Sequence, residues 1–348
     1  MAFINFQPSD HFNTLLYTGD GQASRSVTGV GFQPDWVWFK NRNTADHHKL
    51  FDVVRGANKV IYSNLAAQEA TVTQELQSFN SDGFTVGTES AMNGNGNGIA
   101  AWNWKAGNAQ GSSNTDGTIN TTYTSVNTTA GFSISKYVGT GSNGTIGHGL
   151  GAVPKWIVVK NLDTSDSWNV YHTDMGNGKR LLLDTNGAAN TNSTPWNDTS
   201  PTSSLFSVGT NTGTNKSGSN LIAYAFAEKK GFSRFGYYKG NGDLNGPFIY
   251  TGFKPGFVII KNYYRTGEHW FIHDTKRQTF NVNNKYLLAN ESSAEATSNS
   301  HAIDILSNGF KTRTTNESTN YSTSDTYIYM AFAEEPLVSS NNIPATAR

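Results

Sequence analysis

An eleven-residue block occurs three times in this chain, and that recurrence limits its fold more than anything else in the sequence. The first copy reads Gly31-Phe32-Gln33-Pro34-Asp35-Trp36-Val37-Trp38-Phe39-Lys40-Asn41. The second runs from Gly151 through Pro154 and Trp156 to Lys160-Asn161, and the third from Gly252 through Pro255 and Phe257 to Lys261-Asn262. Each block follows a Tyr-x-Gly-x-Gly signature, at Tyr17–Gly21, Tyr137–Gly141 and Tyr238–Gly242. Each is followed in turn by a Trp- or Phe-containing segment (Leu50-Phe51, Trp168 to His172, Trp270 to His273) and a short aliphatic run (Val60-Ile61-Tyr62, Leu181-Leu182-Leu183, Tyr286-Leu287-Leu288). An alternating segment closes each copy: Ala100 to Trp104, Ile222 to Glu228, Tyr329 to Glu334. This order predicts three tandem copies of one domain, at 11–110, 131–230 and 231–336. A linker at 111–130, rich in Gly, Ser, Thr and Asn, separates the first two, the second and third abut, and 337–348 form a short C-terminal tail.

The local pattern is that of strands. The block starts near a proline, stays apolar for about five residues and ends at polar groups, as a strand buried on both faces does. The closing segments alternate aromatic residues with Ala or Asn, which predicts strands with one face on a core. Turn clusters such as Asn93 to Gly98 separate the runs, and only Leu65 to Leu76 could hold a helix. About seven short strands per hundred residues predict an all-β chain of three antiparallel β-sandwich repeats of jelly-roll or lectin-like form.

Composition narrows the function. The chain has 26 basic and 26 acidic residues, so no net field draws it to nucleic acid or an anionic membrane. It has no cysteine, which excludes disulfides and thiolate metal sites. Stability must then come from packing, repetition or assembly. No apolar stretch reaches the length of a membrane span. The first ten residues lack a basic n-region and a long apolar run, so no signal peptide is expected.

Few residues offer chemistry. Gly139-Thr140-Gly141-Ser142-Asn143-Gly144 fits a dinucleotide-binding pattern, but the residues after it do not begin a helix, so a turn is the expectation. His269 and His273 could face one side of a strand near Asp274, yet a third metal ligand is not identifiable, and no metal site or cofactor is expected. No nucleophile elbow, P-loop, zincin or EF-hand motif occurs, and no carboxylate pair recurs, so the reading is a protein without catalytic residues rather than an enzyme. Aromatic residues are the candidates for ligand contact, because sugar rings stack on flat side chains. Most recur in all three copies and therefore belong to a shared core. Those used once are Trp196, Tyr263, Tyr264 and Trp38, which are the expected ligand-binding residues. The repeated Lys40, Lys160 and Lys261, with Asn41, Asn161 and Asn262, read as structural: a stem over aromatic surface and a turn at a strand end.

The Tyr-x-Gly-x-Gly signature, the eleven-residue block in its three copies and the ending Ala331 to Pro336 with Ile343 to Arg348 together resemble an uncharacterised repeat domain. That domain occurs in structural proteins of tailed phages, notably phages of marine bacteria and cyanobacteria. The resemblance spans nearly the whole chain and implies a virion protein with a lectin-like sandwich, made in the host cytoplasm and released by lysis. It implies no particular binding residue. The second copy departs from the pattern, with Ala152 in place of Phe and a polar insertion at 186–204. The expected role is a tail fibre, spike or knob that contacts a host-surface glycan; the alternative is a capsid decoration or head-fibre protein, and a free lectin or glycan-active enzyme ranks below both. Expected partners are other virion proteins of tail or capsid and a host glycan, with homo-oligomer formation compatible and neither nucleic acid nor membrane insertion involved. Specificity should lie in the loops that differ most: 91–98, 186–204 and 263–268.

Overall fold

The protein is described here by a computed structural model, which covers residues 7–333 and 335. It is all-β. The first third contains β1 (Phe12–Thr18), β2 (Arg25–Thr28), β3 (Trp36–Asn41), β4 (Lys49–Asp52), β5 (Lys59–Val60), β6 (Ala70–Thr71), β7 (Leu76–Asn80), β8 (Gly83–Val86) and β9 (Gly98–Trp104). The middle contains β10 (Thr121–Asn127), β11 (Phe132–Val138), β12 (Gly144–Gly147), β13 (Pro154–Asn161), β14 (Asn169–His172), β15 (Lys179–Leu182), β16 (Asn190–Thr191), β17 (Leu205–Val208) and β18 (Asn220–Ala227). The last contains β19 (Ser233–Lys239), β20 (Phe248–Tyr250), β21 (Pro255–Asn262), β22 (Trp270–Asp274), β23 (Lys285–Leu288), β24 (Ala296–Thr297), β25 (Ile303–Leu306), β26 (Gly309–Thr312) and β27 (Thr326–Ala333). Residues 65–76 hold no helix: the stretch is irregular backbone with a bend and the two-residue β6, with β7 starting at Leu76. Short helical turns occur instead at α1 (Ser90–Asn93) and α2 (Thr212–Asn215).

One strand order recurs. The inner sheets run β1-β9-β3-β4, then β11-β18-β13-β14 and β19-β27-β21-β22. The repeated block forms β3, β13 and β21, and the closing segment forms its neighbour. Trp36 pairs with Trp104, Trp156 with Phe226 and Phe257 with Phe332. Smaller outer sheets, β2-β8-β7, β12-β17 and β20-β26-β25, cover one face of each inner sheet.

The closing strands were expected to have one face on a core, but both faces are buried. Alternation sorts the side chains between two cores. Val37, Phe39, Ile99 and Ala101 join Val27, Leu76, Phe84 and Val86 inside the first sandwich. Trp36, Trp38, Trp102 and Trp104 point the other way, into a cluster that also takes Phe132, Trp156, Tyr224 and Phe226 from the middle third and Phe235, Phe257, Trp270 and Phe332 from the last. The rings interlock across the thirds: Trp36 stacks on Tyr224 at 4.7 Å between centroids, Phe12 on Phe332 at 5.2 Å, and Phe226 meets Phe332 edge-on at 5.9 Å.

Polar contacts close the ring in the same sense. The amides of Glu69, Ala189 and Glu295 donate to the carbonyls of Leu162, Tyr263 and Arg42, each 2.8–2.9 Å away. Buried Asp52, held by Arg55, accepts from the Tyr224 hydroxyl at 2.7 Å. Buried Asp274, held by Arg277, accepts from Trp102 Nε1 at 3.0 Å. The seam between the middle and last thirds differs: His172 and Met175 take the places of the Asp–Arg pairs, and Ala189 that of Glu69 and Glu295.

The Tyr-x-Gly-x-Gly signature pins the ends of the sheets. The hydroxyls of Tyr17, Tyr137 and Tyr238 donate to the carbonyls of Met92, Thr214 and Thr319 at 2.6–2.7 Å. A buried Asn, 93, 215 or 320, accepts from the backbone inside the signature. A Cβ on Gly19 would overlap the Gly94 carbonyl, so only glycine fits there.

Trp156 is 2 % exposed and touches Phe235 and Trp270 of the last third. Trp156→Ala should cost about 3–5 kcal/mol. Because the central cluster is common to all three sandwiches, the chain should still unfold in one transition. Calorimetry of the variant checks both points: a wild-type melting temperature, or a separate early transition confined to one third, would contradict this account.

Candidate functional site

Exposed large apolar side chains are concentrated in the last third. Of the ten among the described residues, eight lie between Tyr237 and Tyr321, and only Val138 and Val153 lie elsewhere. Two features lie on this part of the surface.

The first is a loop-end cluster around Tyr264, which is 59 % exposed. Asn262, at the end of β21, accepts from the amides of Tyr264 and Arg265 at 2.9 and 3.1 Å, and this turn throws the tyrosine outward. The equivalent turns carry Asn43 and Asp163, so an aromatic stands here once. Arg265 is fixed by Asp325, 2.7 Å from its Nε, and its guanidinium lies 4.6 Å from the centre of the Tyr321 ring. Tyr321 is itself 42 % exposed. The result is an ordered aromatic surface on a strand end, around a guanidinium paired with Asp325 and close to Glu317.

Three of the four aromatics expected at a site are not free. Trp196 is buried and packs on Tyr171 at 5.8 Å in the middle sandwich. The amides of Gly209 and Asn211 donate to Pro195 and Thr194, as those of Gly87 and Glu89 do to Glu75 and Gln74. Trp196 therefore occupies the core position of Leu76, within an insertion that hides the correspondence in sequence. Trp38 is also buried, in the central cluster, where Nε1 donates to His48 Nδ1 at 2.8 Å. His48 replaces Trp168 and Trp270 of the other thirds, and Trp38 replaces the small Val158 and Ile259, so volume is conserved across the pair. Tyr263 is half-buried against the central cluster beside Ala189. The loops at 186–189 and 263–267 do meet: Gly267 N donates to Asn186 O at 2.9 Å. Residues 91–98 overlap α1 and carry no exposed aromatic.

The second feature is an open cleft of about 410 Å³ where the middle and last thirds meet. One wall is Lys155, Thr173, Asp174 and Glu228; the other is β19 from Arg234 to Tyr238; Phe248 and Tyr250 of β20 form the lip. Glu228 and Arg234 pair at 2.8 Å. Burial, with Glu228 adding to it, raises the Asp174 carboxyl against the opposing pull of Lys155. Burial also pushes the Tyr329 hydroxyl up to about 12 and the His172 imidazole beneath the wall down to about 3. Tyr237, Phe248 and Tyr250 are 55, 46 and 59 % exposed. Sequence reasoning missed all three, although the once-only criterion finds them: the β20 aromatics align with Ser26 and Thr28 in β2.

Among the described residues no three His, Asp or Glu side chains gather as metal ligands. His273 is buried, whereas His269 lies before β22 and bonds Asn290 at 2.9 Å. Gly144 opens β12 rather than a helix. No helix among the described residues is long and apolar enough to cross a membrane. The profile of a family described as Domain of unknown function (DUF7483) matches residues 7–336, and the chain belongs to that family. No curated protein and no solved structure matches it.

The repeated lysines lie in neither feature, and of the paired asparagines only Asn262 takes part, by holding the Tyr264 turn. Lys40, Lys160 and Lys261 are fully buried, and their ammonium groups donate to backbone carbonyls, Lys40 to Asn41, Lys160 to Asn161 and Lys261 to Glu268, all at 2.6 Å. Burial lowers their pKa to about 8, 8 and 7. A lysine lowered on folding binds its proton more weakly folded than unfolded, so its contribution to stability grows as pH rises from the folded toward the unfolded pKa. Between pH 7 and 10 wild type should therefore gain on Lys261→Met by up to about 1.4 kcal/mol per pH unit. Denaturant unfolding at several pH values measures this; a gap that stays constant would show that Lys261 titrates normally.

Proposed function

We propose that this member of the DUF7483 family is a structural protein of a tailed-phage virion, a tail fibre, spike or knob module that meets a glycan on the host surface, and not an enzyme. The observation that carries the reading is that, among the described residues, every exposed aromatic side chain lies in one third of a ring whose other aromatics are buried or partly buried. A surface of Tyr264, Arg265 and Tyr321 suits a sugar: the rings stack on its apolar face, and the fixed guanidinium and nearby Asn and Asp groups take hydroxyls. His48, His172, His273 and the three lysines, whose acid–base chemistry burial perturbs strongly, are enclosed in the protein. The resemblance of the repeated block to phage structural repeats supports the virion setting. One chain that closes three sandwiches into a ring supplies the footprint of a trimer, which suits a fibre tip and equally the second reading, a decoration protein seated on a shell.

Tyr264→Ala and Tyr321→Ala should each weaken binding of the purified protein to host cells about fivefold, roughly 1 kcal/mol per stacking contact. Avidity on the particle should amplify the loss in phage adsorption. Phe280→Ala, at an exposed site outside the cluster, is the control. Unchanged adsorption in both tyrosine variants would remove the glycan site. Loss of the protein from particles in either variant would favour the decoration reading.

A further inference from the structure

We infer that the cleft between the middle and last thirds is a strand-acceptor site, which binds an extended polypeptide segment of another protein along the free edge of β19. The argument begins with backbone groups. Ala333 N donates to Phe232 O and Gly240 N to Asp325 O, which fixes the alternation of the β19–β27 ladder. Arg234, Gly236 and Tyr238 then bond β27, while the amides and carbonyls of Phe235 and Tyr237 point away from it. Among the described residues β19 pairs with no strand but β27. An open row of this kind is a template for another strand.

The chain itself shows what such an edge accepts. At the preceding seam the edge of β11 is covered by β10, in the register Thr124–Ser135 and Val126–Ser133. β10 lies against the first third, where Gly107 N donates to Ser125 Oγ at 3.0 Å. Just before β10, Ile119 bridges Ile146 of β12 and is buried in the middle sandwich. The segment thus crosses from the outer to the inner sheet and seals the sandwich. At the next seam Lys155 and Glu228 stand where Asp35 and Ala106 stand, Ile249 stands for Ile146, and β19 for β11. Lys229 to Phe232 are too few residues to supply a covering strand. The position that β10 fills at the seam between the first and middle thirds is the cleft at the seam between the middle and last thirds. Cations and anions balance on its wall, so a segment of alternating apolar and uncharged polar residues fits, with one apolar side chain over Ile249.

The test uses the purified full chain without any particle, so that its failure and that of the virion reading are separable. A display library of random decapeptides is panned on wild type. Peptides it enriches should bind with micromolar affinity and slow hydrogen exchange at the amides of Phe235 and Tyr237 at least tenfold. Tyr237→Pro removes the outward amide while sparing the bonds to β27, and edge strands tolerate proline; it should weaken binding at least tenfold. Tyr237→Thr keeps the amide and should stay within threefold of wild type. Failure to enrich any peptide, peptides that leave exchange at Phe235 and Tyr237 unchanged, or equal losses in both variants would overturn the inference. Equal losses would assign the cleft to side-chain recognition, as of a sugar ring. The exchange measurement on wild type decides the matter even if the proline variant does not fold.

Discussion

The inner sheet of each third is apolar on both faces, and this one constraint organises the molecule. Its own outer sheet covers one face. The other carries Trp36, Trp102 and Trp104 in the first third, or their counterparts, and water would meet several large rings if it stayed open. At about 25 cal/mol per Å² of apolar area, a few buried aromatics per third amount to several kcal/mol each. No single sandwich satisfies that demand. Three of them do, by facing one another, and a chain without cysteine and poor in charge is held together mainly through ring packing, with few ion pairs such as Arg42–Glu295 across the seams.

Repetition makes the three seams alike, and the differences among them are therefore informative. Two seams use a buried Asp–Arg pair whose acid also accepts a bond from the neighbouring third. Burying such a pair costs desolvation, and removing one partner leaves a charge stranded. The remaining seam avoids the problem by replacing every member at once: His172, Met175 and Ala189, facing Tyr263 and Met330. His172 stays neutral there because burial holds its pKa near 3. A single charged residue returned to that seam would have no partner, so these replacements act as a set.

The strands and their recurrence were legible because apolar runs, prolines and turn clusters are local signals. That β3 would be buried on both faces was legible for the same reason. The source of the second cover was not, because nothing local distinguishes a ring aimed at its own sandwich from one aimed at a neighbour. The closing strands illustrate this: Ala and Asn alternating with aromatics reads as one wet face, yet Ala101 and Asn103 are as buried as Trp102. Trp196 and Trp38 looked unique because correspondence was judged along the sequence. In space Trp196 fills the site of Leu76, and Trp38 trades volume with His48. Tyr263 and Tyr264 were both picked out as aromatics used once after the third Lys–Asn; the Asn262 turn leaves Tyr264 exposed, while Tyr263 packs against the central cluster. Tyr237, Phe248 and Tyr250 lie in strands where a tyrosine or phenylalanine reads as core, and only edge position leaves them exposed.

Surface individuality follows from where the chain has room for it. Core positions of the three thirds are coupled through one cluster, so a change at Trp36 or Phe332 is felt by all. The connections are not coupled in this way. A connection of about twenty residues between the first two thirds folds back as β10 and closes the edge of β11. The short connection at Lys229 to Phe232 cannot, and it leaves β19, the lip of β20 and their aromatics uncovered. For β11 and β19 the difference goes with linker length: among the described residues, the edge after the long connection is covered and the edge after the short one is not. Among the described residues no strand covers Tyr237 and Tyr250 at this seam, although β10 covers the matching edge of β11. An edge left open beside one that is closed, in a molecule that buries nearly every other ring, is the feature that asks for a partner.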